Sequence, residues 1–353
     1  MSTFGKNIII SLFGESHQEA IGITIHNFPP NIALDLEAIE NKLLLRKGLA
    51  EISTTRREKD HFKIISGFYQ GKTTGAPLTF IIPNCDINSG DYTKGTIRPS
   101  HSDLPYHIKY QKANDYRGGG HSSGRLTAPL VILGAISEQL LKEKGIVIAS
   151  RIKSIGEIVD TIPINQNCVK SLLNDSFPVI DSKIKDEMLK QIKEVKNNGD
   201  SIGGMVETVI YNLPAGLGDP FFDSVESIIA HLIFSIPGVK GIEFGDGFDI
   251  TKKRGSEAND QIQIINDKIT FLSNHSGGIN GGVTNGEPVR FTTAIKPTSS
   301  IKLPQKSINI ETYENTTLII EGRHDPCIVP RALPVINALT SYAILDLLLE
   351  RKF

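Results

Sequence analysis

Histidine, arginine and glycine gather in five short parts of the sequence, at spacings that suit proton transfer and anion binding. These parts are residues 13–17, 98–103, 117–125, 275–282 with 296–300, and 322–326. Imidazole and carboxylate groups exchange protons near neutral pH, and guanidinium groups bind carboxylates and phosphates through paired hydrogen bonds. The sequence therefore predicts a pocket for a small polyanion, in which two or three histidines and an aspartate move protons.

The first two parts each contain a candidate proton carrier. His17 comes directly after a predicted strand, and His101 lies in a turn whose backbone Pro99 constrains. We expect Asp103, two residues further on, to orient the His101 ring. Each histidine also has a structural interpretation, as a hydrogen-bonded strand-end residue for His17 and as part of a capped surface turn for His101.

The third part is a glycine-rich loop with Arg117 at its start and Arg125 at its end. Consecutive glycines let backbone N–H groups approach an anion, and the hydroxyls of Ser122 and Ser123 add donors. Residues 126–141 have a helical pattern, so the loop is expected at a helix N-terminus. The loop lacks the spacing of a Walker loop or of a dinucleotide fingerprint. A tight turn is the alternative, and the flanking arginines favour anion binding.

Two later parts also offer anion contacts. Residues 296–300 follow an alternating strand and combine one lysine with three hydroxyls, which suits a phosphate or a carboxylate, although a solvated turn has the same composition. In the last part, Arg323 suits a bidentate contact with an anion and Asp325 is a candidate base. The alternative there is an internal ion pair between an arginine and the aspartate.

Hydrophobic periodicity predicts that both strands and helices position these parts. The predicted strands are residues 7–12, 21–26, 78–82, 205–213 and 289–295. The predicted helices are residues 36–45, 130–144, 184–196, 224–235 and a terminal stretch from about 332. Because the helices do not alternate regularly with the strands, the pattern favours an α+β layered fold in one domain over a doubly wound one.

Composition excludes several classes of protein. The 353 residues include 38 basic and 39 acidic side chains, so the net charge of -1 argues against nucleic acid as a partner. The three cysteines are far apart, which indicates no disulfide framework and fits a cytoplasmic location. We expect no metal, because the histidines are not paired at ligand spacing. We also expect no membrane segment, since no apolar run approaches the roughly 20 residues of a bilayer span.

Taken together, nine segments in order along almost the whole chain resemble the chorismate synthase family. They are residues 14–17, 57–67, 71–77, 98–103, 115–125, 241–247, 274–282, 296–300 and 322–326. The resemblance implies a β-α-β sandwich of layered sheets and helices, formed by a single domain over residues 1–353, and a homotetramer.

The resemblance also implies a reaction. The family converts 5-enolpyruvylshikimate 3-phosphate into chorismate, the last step of the shikimate pathway for aromatic amino acids. The 3-phosphate and a C6 proton leave in an anti-1,4 elimination, which makes the enzyme a carbon–oxygen lyase. Reduced FMN is required although there is no net redox change, and NADPH is one candidate source of its electrons.

Roles for particular residues follow from the same resemblance. It assigns His17 to protonation of the leaving phosphate, His101 to a role near flavin N1, and Asp325 to keeping flavin N5 ready as the base. The arginines implied for substrate binding are Arg46, Arg98, Arg125 and Arg323. The residues implied for FMN binding are His121, Ser122, Ser123, Pro237, Gly238, Gly281, Lys296, Pro297, Thr298, Ser299, Ser300 and Arg323.

Some positions depart from the family pattern. His121 stands where the family commonly has arginine, so one fixed charge becomes titratable, and Gly124 replaces an alanine. Pro237 and Gly238 occupy a place where Asn-Ala is frequent. Two other functions remain open from the residues alone, a flavin enzyme that transfers hydride and a non-catalytic protein that binds phosphorylated ligands.

Overall fold

Two five-stranded antiparallel sheets with helices between them form the fold in the computed structural model, which describes residues 2–53, 60–85, 90, 92–320 and 324–350. The strands are β1 (Thr3–Phe4), β2 (Ile9–Gly14), β3 (Ala20–His26), β4 (Lys63–Ser66), β5 (Phe68–Tyr69), β6 (Lys72–Thr73), β7 (Leu78–Pro83), β8 (Val147–Ile155), β9 (Ile158–Val159), β10 (Gly204–Tyr211), β11 (Val239–Phe244), β12 (Ile262–Ile265), β13 (Lys268–Phe271), β14 (Ile279–Asn280), β15 (Val283–Thr284), β16 (Val289–Ile295), β17 (Gln305–Asn309) and β18 (Glu314–Leu318). The helices are α1 (Leu36–Leu45), α2 (Asp103–Lys109), α3 (Thr127–Glu143), α4 (Val169–Leu172), α5 (Ser182–Asn197), α6 (Val225–Phe234), α7 (Gly255–Ala258) and α8 (Val329–Glu350).

The sheets lie on either side of α3 and α8. The first sheet has the strand order β1-β2-β3-β7-β4, and the second has the order β11-β16-β10-β8-β9. Helix α3 contacts β3 and β7 in the first sheet and β8 in the second, while α8 packs along α3 and against β8 and β10. This sheet–helix–sheet layering confirms the predicted α+β sandwich. The extent of the domain over residues 1–353 stays a prediction.

The strands and helices predicted from periodicity are all present, with ends that differ by a few residues. Among the elements that the periodicity did not indicate are β8 and β11, two strands of the second sheet. Strand β8 lies between β10 and the edge strand β9, yet its buried positions include Ser150, Arg151 and Ser154, so its sequence does not resemble an apolar core strand. Arg151 is accommodated because Glu207 on β10 and Asp160 both pair with its guanidinium group.

Helix α8 is long and apolar enough to span a membrane by length and composition, although the sequence has no uninterrupted apolar run of that length. By length and composition it is the single such helix in the part of the chain that the structure describes. Pro330, Arg331 and Pro334 interrupt its apolar run, which hid it from a search for uninterrupted apolar residues. Some 72% of its most apolar window is buried inside the protein, as in a core helix of a soluble protein.

Close packing between α3 and α8 depends on Gly134. A Cβ atom at this position would lie 2.2 Å from both Cα and Cβ of Ala338 on α8. Helix propensity favours alanine over glycine by about 1 kcal/mol, but overpacking of a core costs about 1–3 kcal/mol. We therefore expect Gly134→Ala to lower the free energy of unfolding by up to about 2 kcal/mol, measured by urea denaturation at fixed protein concentration.

Gly255 provides the matched control for this prediction. It lies in the exposed helix α7, and a Cβ atom there would meet nothing within 4 Å. Gly255→Ala should leave the free energy of unfolding unchanged or raise it slightly. Equal effects of the two substitutions would show that the contact between α3 and α8 does not limit stability.

Candidate active site

One cleft of about 1100 Å³ gathers most of the residues that the sequence marks as functional. The predicted site residues that line it are His17, Arg46, Arg98, His101, His121, Ser122, Ser123, Arg125, Pro237, Gly238, Lys296, Pro297, Thr298, Ser299, Ser300 and Asp325. Gly281 lies in the turn between β14 and β15 and does not line this cleft. Arg323 lies outside the described residues. All five parts noted in the sequence thus contribute to the cleft, although residues 275–282, one half of the fourth part, do not line it.

The glycine-rich loop forms two short 3₁₀ turns that lead directly into α3, as the sequence predicts. Gly118, Gly119 and Gly120 have φ values of 59°, 85° and 52°, in the left-handed region that favours glycine. A Cβ atom at Gly118 would lie 2.1 Å from Cε1 of His17, so glycine there makes room for the imidazole. The loop therefore packs against the first candidate proton carrier.

His121 is held from both ring nitrogens at the edge of this loop. Its Nδ1 lies 2.8 Å from the carbonyl oxygen of Gly14, and its Nε2 lies 2.8 Å from the hydroxyl of Ser2. A carbonyl oxygen only accepts, so Nδ1 carries the proton and Nε2 accepts from the serine in the neutral ring. At the position where the resemblance leads us to expect an arginine, this chain has an imidazole that is hydrogen-bonded to Ser2 near the N-terminus.

His17 lies just beyond the end of β2 and is buried, with 8% of its surface exposed. Its Nδ1 is 3.2 Å from the hydroxyl of Ser16, which in turn lies 3.3 Å from the carbonyl oxygen of Gly118. The ring of Tyr92 stands edge-on to the imidazole at 5.2 Å between centroids. These contacts confine the ring at the wall of the cleft.

His101 is oriented by groups other than the carboxylate that the sequence suggests. The expectation for Asp103 is wrong, because its carboxylate accepts two hydrogen bonds of 2.8 Å from the Arg98 guanidinium group. The His101 ring instead contacts the carbonyl oxygen of Pro99 and the hydroxyl of Ser300. Burial, followed by the charge of Arg98, lowers the pKa of His101 to about 4, so the ring is neutral at pH 7.

This lowered pKa predicts a pH dependence of stability. The unfolded chain binds the His101 proton below its usual pKa of about 6.5, whereas the folded chain does so only near 4. The stability contributed by the neutral ring is fully present above pH 6.5 and is lost as the pH falls towards 4. Relative to His101→Gln, the wild type should lose up to about 3 kcal/mol across this window. Urea midpoints measured between pH 4 and 7.5 test this, and parallel curves would contradict it.

Arg46 and Arg125 share one buried carboxylate at the back of the cleft. Asp60 lies 3.3 Å from Nη1 of Arg46 and also contacts Nη1 of Arg125. All three side chains are at most 7% exposed. Arg46 also donates from Nε to the Thr127 hydroxyl at 2.9 Å, and Arg125 donates from Nε to Asn84 at 3.1 Å. The cluster places two guanidinium groups at the cleft wall.

Arg98 reaches the cleft from the turn that precedes α2. Its guanidinium group lies over the ring of Tyr92 at 5.1 Å and pairs with Asp103, and both side chains of this ion pair are 12% exposed. The desolvated ion pair fixes the guanidinium plane beside the ring. Tyr92 therefore contacts two predicted site residues, Arg98 and His17, although it carries no local motif that would have marked it in the sequence.

Residues 296–300 follow β16 and contribute a lysine and three hydroxyls, as predicted. Lys296 donates from Nζ to the carbonyl oxygen of Ser100 at 3.0 Å and to the hydroxyl of Ser299 at 2.9 Å. Burial, then the neighbouring charge of Lys240, lowers the pKa of Lys296. The hydroxyl of Thr298 is buried without a hydrogen-bond partner in the part of the chain described here. A bound anion would stabilise the charge of Lys296 and accept a hydrogen bond from the Thr298 hydroxyl, so both residues suit an anionic ligand.

Asp325 lies shortly before α8 and is buried at the cleft wall. Its carboxylate forms an ion pair with Arg331, the third residue of α8, whose Nε also donates to the backbone oxygen of Arg46 at 3.2 Å. The sequence suggested an internal ion pair for this aspartate but did not identify Arg331. A lone arginine in a helical pattern carries no functional signal, since only the tertiary fold brings it to the cleft.

Comparison with known proteins gives one family throughout. A family model described as chorismate synthase matches residues 8–349. A chorismate synthase of Thermococcus kodakarensis is 41% identical over 351 residues, which cover 99% of this chain and 98% of that protein. One from Dehalococcoides mccartyi is 41% identical over 352 residues, covering 99% and 97%. One from Methanobrevibacter smithii is 42% identical over 352 residues, covering 98% and 95%.

The fold agrees with these sequence matches. A crystal structure titled as chorismate synthase superposes with a TM-score of 0.76 at 28% identity, and the match covers 98% of this chain and 93% of that one. The nine segments and the sheet–helix–sheet layering therefore have one common explanation: the chain belongs to the chorismate synthase family.

Proposed function

We propose that this chain eliminates phosphate from 5-enolpyruvylshikimate 3-phosphate to form chorismate, with reduced FMN bound in the same cleft. Family membership supports the chorismate synthase function in the shikimate pathway. The observation that carries the proposal is the convergence of His17, His101 and Asp325 with three arginines in one cleft. A substrate with one phosphate and two carboxylates requires several cationic partners, and each charge-assisted hydrogen bond contributes about 1.5–3 kcal/mol.

The residues present fit a flavin that carries a phosphate. Thr298 has a buried hydroxyl oxygen with no partner within the described ranges, and Lys296 has a pKa lowered by burial and by Lys240. An anion at this position would accept from the hydroxyl and stabilise the lysine charge. Residues 121–123, 237–238 and 296–300 are the proposed FMN contacts, and Gly281 and Arg323 stay proposals from the family resemblance.

Residues of the chain have distinct proposed roles in the elimination. When bound, reduced FMN supplies and recovers the electron that assists phosphate departure, so no net redox change results. Arg46, Arg98 and Arg125 orient the anionic groups of the substrate, with Arg323 as the fourth arginine proposed from the resemblance. His17 delivers a proton to the departing phosphate, and the walls of the cleft exclude water. Asp325, fixed by Arg331, keeps the acceptor of the C6 proton ready.

An anaerobic assay tests the proposal directly. The chain is mixed with 5-enolpyruvylshikimate 3-phosphate and chemically reduced FMN, and chorismate and inorganic phosphate are measured. We expect the two products in equal amounts, with reductant needed only to charge the flavin. Absence of phosphate while the flavin is bound and reduced would refute the proposal. Stoichiometric consumption of NADPH with the substrate would instead indicate hydride transfer.

The resemblance also supports a homotetramer in the cytoplasm, with NADPH as a candidate outside source of electrons for the flavin. Three aromatic residues are between 78% and 89% exposed, namely Phe221, Phe222 and Phe248. Association of subunits would bury such apolar surface. Light scattering of the purified chain tests the oligomeric state. A monomer that retains full turnover would exclude a requirement for the tetramer.

A further inference from the structure

Both ring nitrogens of His101 have a partner of defined chemistry. Nδ1 lies 2.9 Å from the carbonyl oxygen of Pro99, and Nε2 lies 2.8 Å from the hydroxyl oxygen of Ser300. A carbonyl oxygen has no proton to give, so Nδ1 must be the donor in that contact. In the neutral ring the lone pair is then on Nε2, where it accepts a hydrogen bond from the Ser300 hydroxyl.

The charged groups around His101 keep its ring neutral. Burial has the largest effect and lowers the pKa of His101, and the charges of Arg98 and Lys296 lower it further. The contact with Pro99 and the charge of Asp103 raise it. Asp103 is already engaged by the Arg98 guanidinium group. The orientation of His101 therefore depends on two neutral groups, a fixed backbone carbonyl and one serine hydroxyl.

The two adjacent serines of residues 296–300 have different partners. The Ser299 hydroxyl donates to the carbonyl oxygen of Ser100 at 3.2 Å and accepts from Lys296. Ser300 is 8% exposed, and its hydroxyl reaches the imidazole of His101, 199 positions earlier in the chain. Ser299 thus binds the backbone of the turn that contains Ser100, whereas Ser300 binds the imidazole ring of His101 in the same turn.

We infer that Ser300 is a positioning residue, which holds the ring of His101 at Nε2 while the carbonyl oxygen of Pro99 fixes the Nδ1–H tautomer, so that the Nε2 lone pair is directed at the serine hydroxyl. The functional meaning rests on the proposed function, which places His101 beside the cofactor. A proton taken up by His101 arrives at Nε2, the nitrogen that Ser300 contacts. The Ser300 hydroxyl then rotates from donor to acceptor, so the same pair of atoms holds the neutral and the protonated ring in one orientation.

Solid-state ¹⁵N NMR of the full chain, with ¹⁵N-labelled histidine at pH 7, tests the inference without any turnover. The His101 signals are identified by their loss in His101→Gln. We expect a protonated Nδ1 and an unprotonated, hydrogen-bonded Nε2 in the wild type. Ser300→Ala should shift the Nε2 signal towards that of a nitrogen without a hydrogen bond and leave Nδ1 protonated, while Ser300→Thr restores the wild-type spectrum. Ser299→Ala is the matched control and should leave the His101 ring signals unchanged.

Turnover provides a second measurement. Ser300→Ala should lower the rate of phosphate release by about 10- to 100-fold, because a misplaced His101 loses part of the rate enhancement that a positioned proton carrier gives. Ser300→Thr should recover most of the lost rate. An Nε2–H tautomer in the wild type, or a Ser300→Ala spectrum identical to the wild type, would overturn the inference. A protein with the expected tautomer that makes no chorismate would instead refute the proposed function.

Discussion

Asp60→Ala is expected to lower the free energy of unfolding by about 3–5 kcal/mol, because it removes the carboxylate that two buried guanidinium groups share. Arg46 and Arg125 are 5% and 6% exposed, so solvent contributes little to the solvation of either charge. Their remaining described contacts are with neutral oxygens of Thr127, Gly124, Asn84 and Pro83. Urea denaturation at fixed protein concentration measures the loss.

Two further variants make this prediction specific. Asp60→Asn keeps the shape of the side chain but not its charge, so it should also destabilise the protein, by less than alanine does. Asp249→Ala removes the carboxylate of an ion pair with Lys252 in which both side chains are about three-quarters exposed. Exposed pairs contribute about 1 kcal/mol at most, so this control should change little. An Asp60→Ala protein as stable as the control would show that the shared carboxylate is dispensable.

The same cluster has a consequence for the cleft. Asp60 pairs with both guanidinium groups, and both arginines line the cleft in which the anionic substrate is proposed to bind. The carboxylate also fixes both side chains before any ligand arrives, which reduces the entropy lost on binding. Loss of Asp60 is therefore expected to weaken substrate binding as well as stability, and a rise in KM would report that part of the effect.

Local sequence was sufficient to identify most of the cleft because its residues occur in compact segments at the ends of elements. Gly118 and its two neighbouring glycines mark a loop beside a histidine, and residues 296–300 mark a strand end rich in hydroxyls. Proximity in sequence did not predict partners. Asp103 lies two residues from His101 but pairs with Arg98, while Ser300 reaches the ring from the distant segment that follows β16.

Local sequence could not supply the residues that only the fold brings together. Arg331 lies in an apolar helical pattern, and its ion pair with Asp325 depends on how α8 begins. The layering of the sheets likewise depends on long-range strand pairing, such as β3 with β7 across more than fifty residues. Periodicity detects an element but not its neighbours, and the sandwich was expected only from the family resemblance.

His17→Ala is expected to lower the rate of phosphate release by about 10²-fold or more, because it removes the proposed proton donor to the leaving phosphate. The imidazole lines the cleft at the end of β2, with Ser16 at its Nδ1 and Tyr92 beside the ring. The measurement is anaerobic turnover with saturating reduced FMN. Retained flavin binding and an unchanged circular dichroism spectrum would separate lost chemistry from lost structure.

A histidine in the first sheet, away from the cleft, provides the control for this last prediction. His26 lies at the opposite end of β3 from the strand end that adjoins Gly14 and the cleft, and it does not line the cleft. His26→Ala removes the same group from a strand that pairs with β2, and turnover should stay within about twofold of the wild type if the proton comes from the imidazole at the cleft. Wild-type turnover in His17→Ala would return that histidine to a structural role, and the proton for the phosphate would then have to come from another group at the cleft.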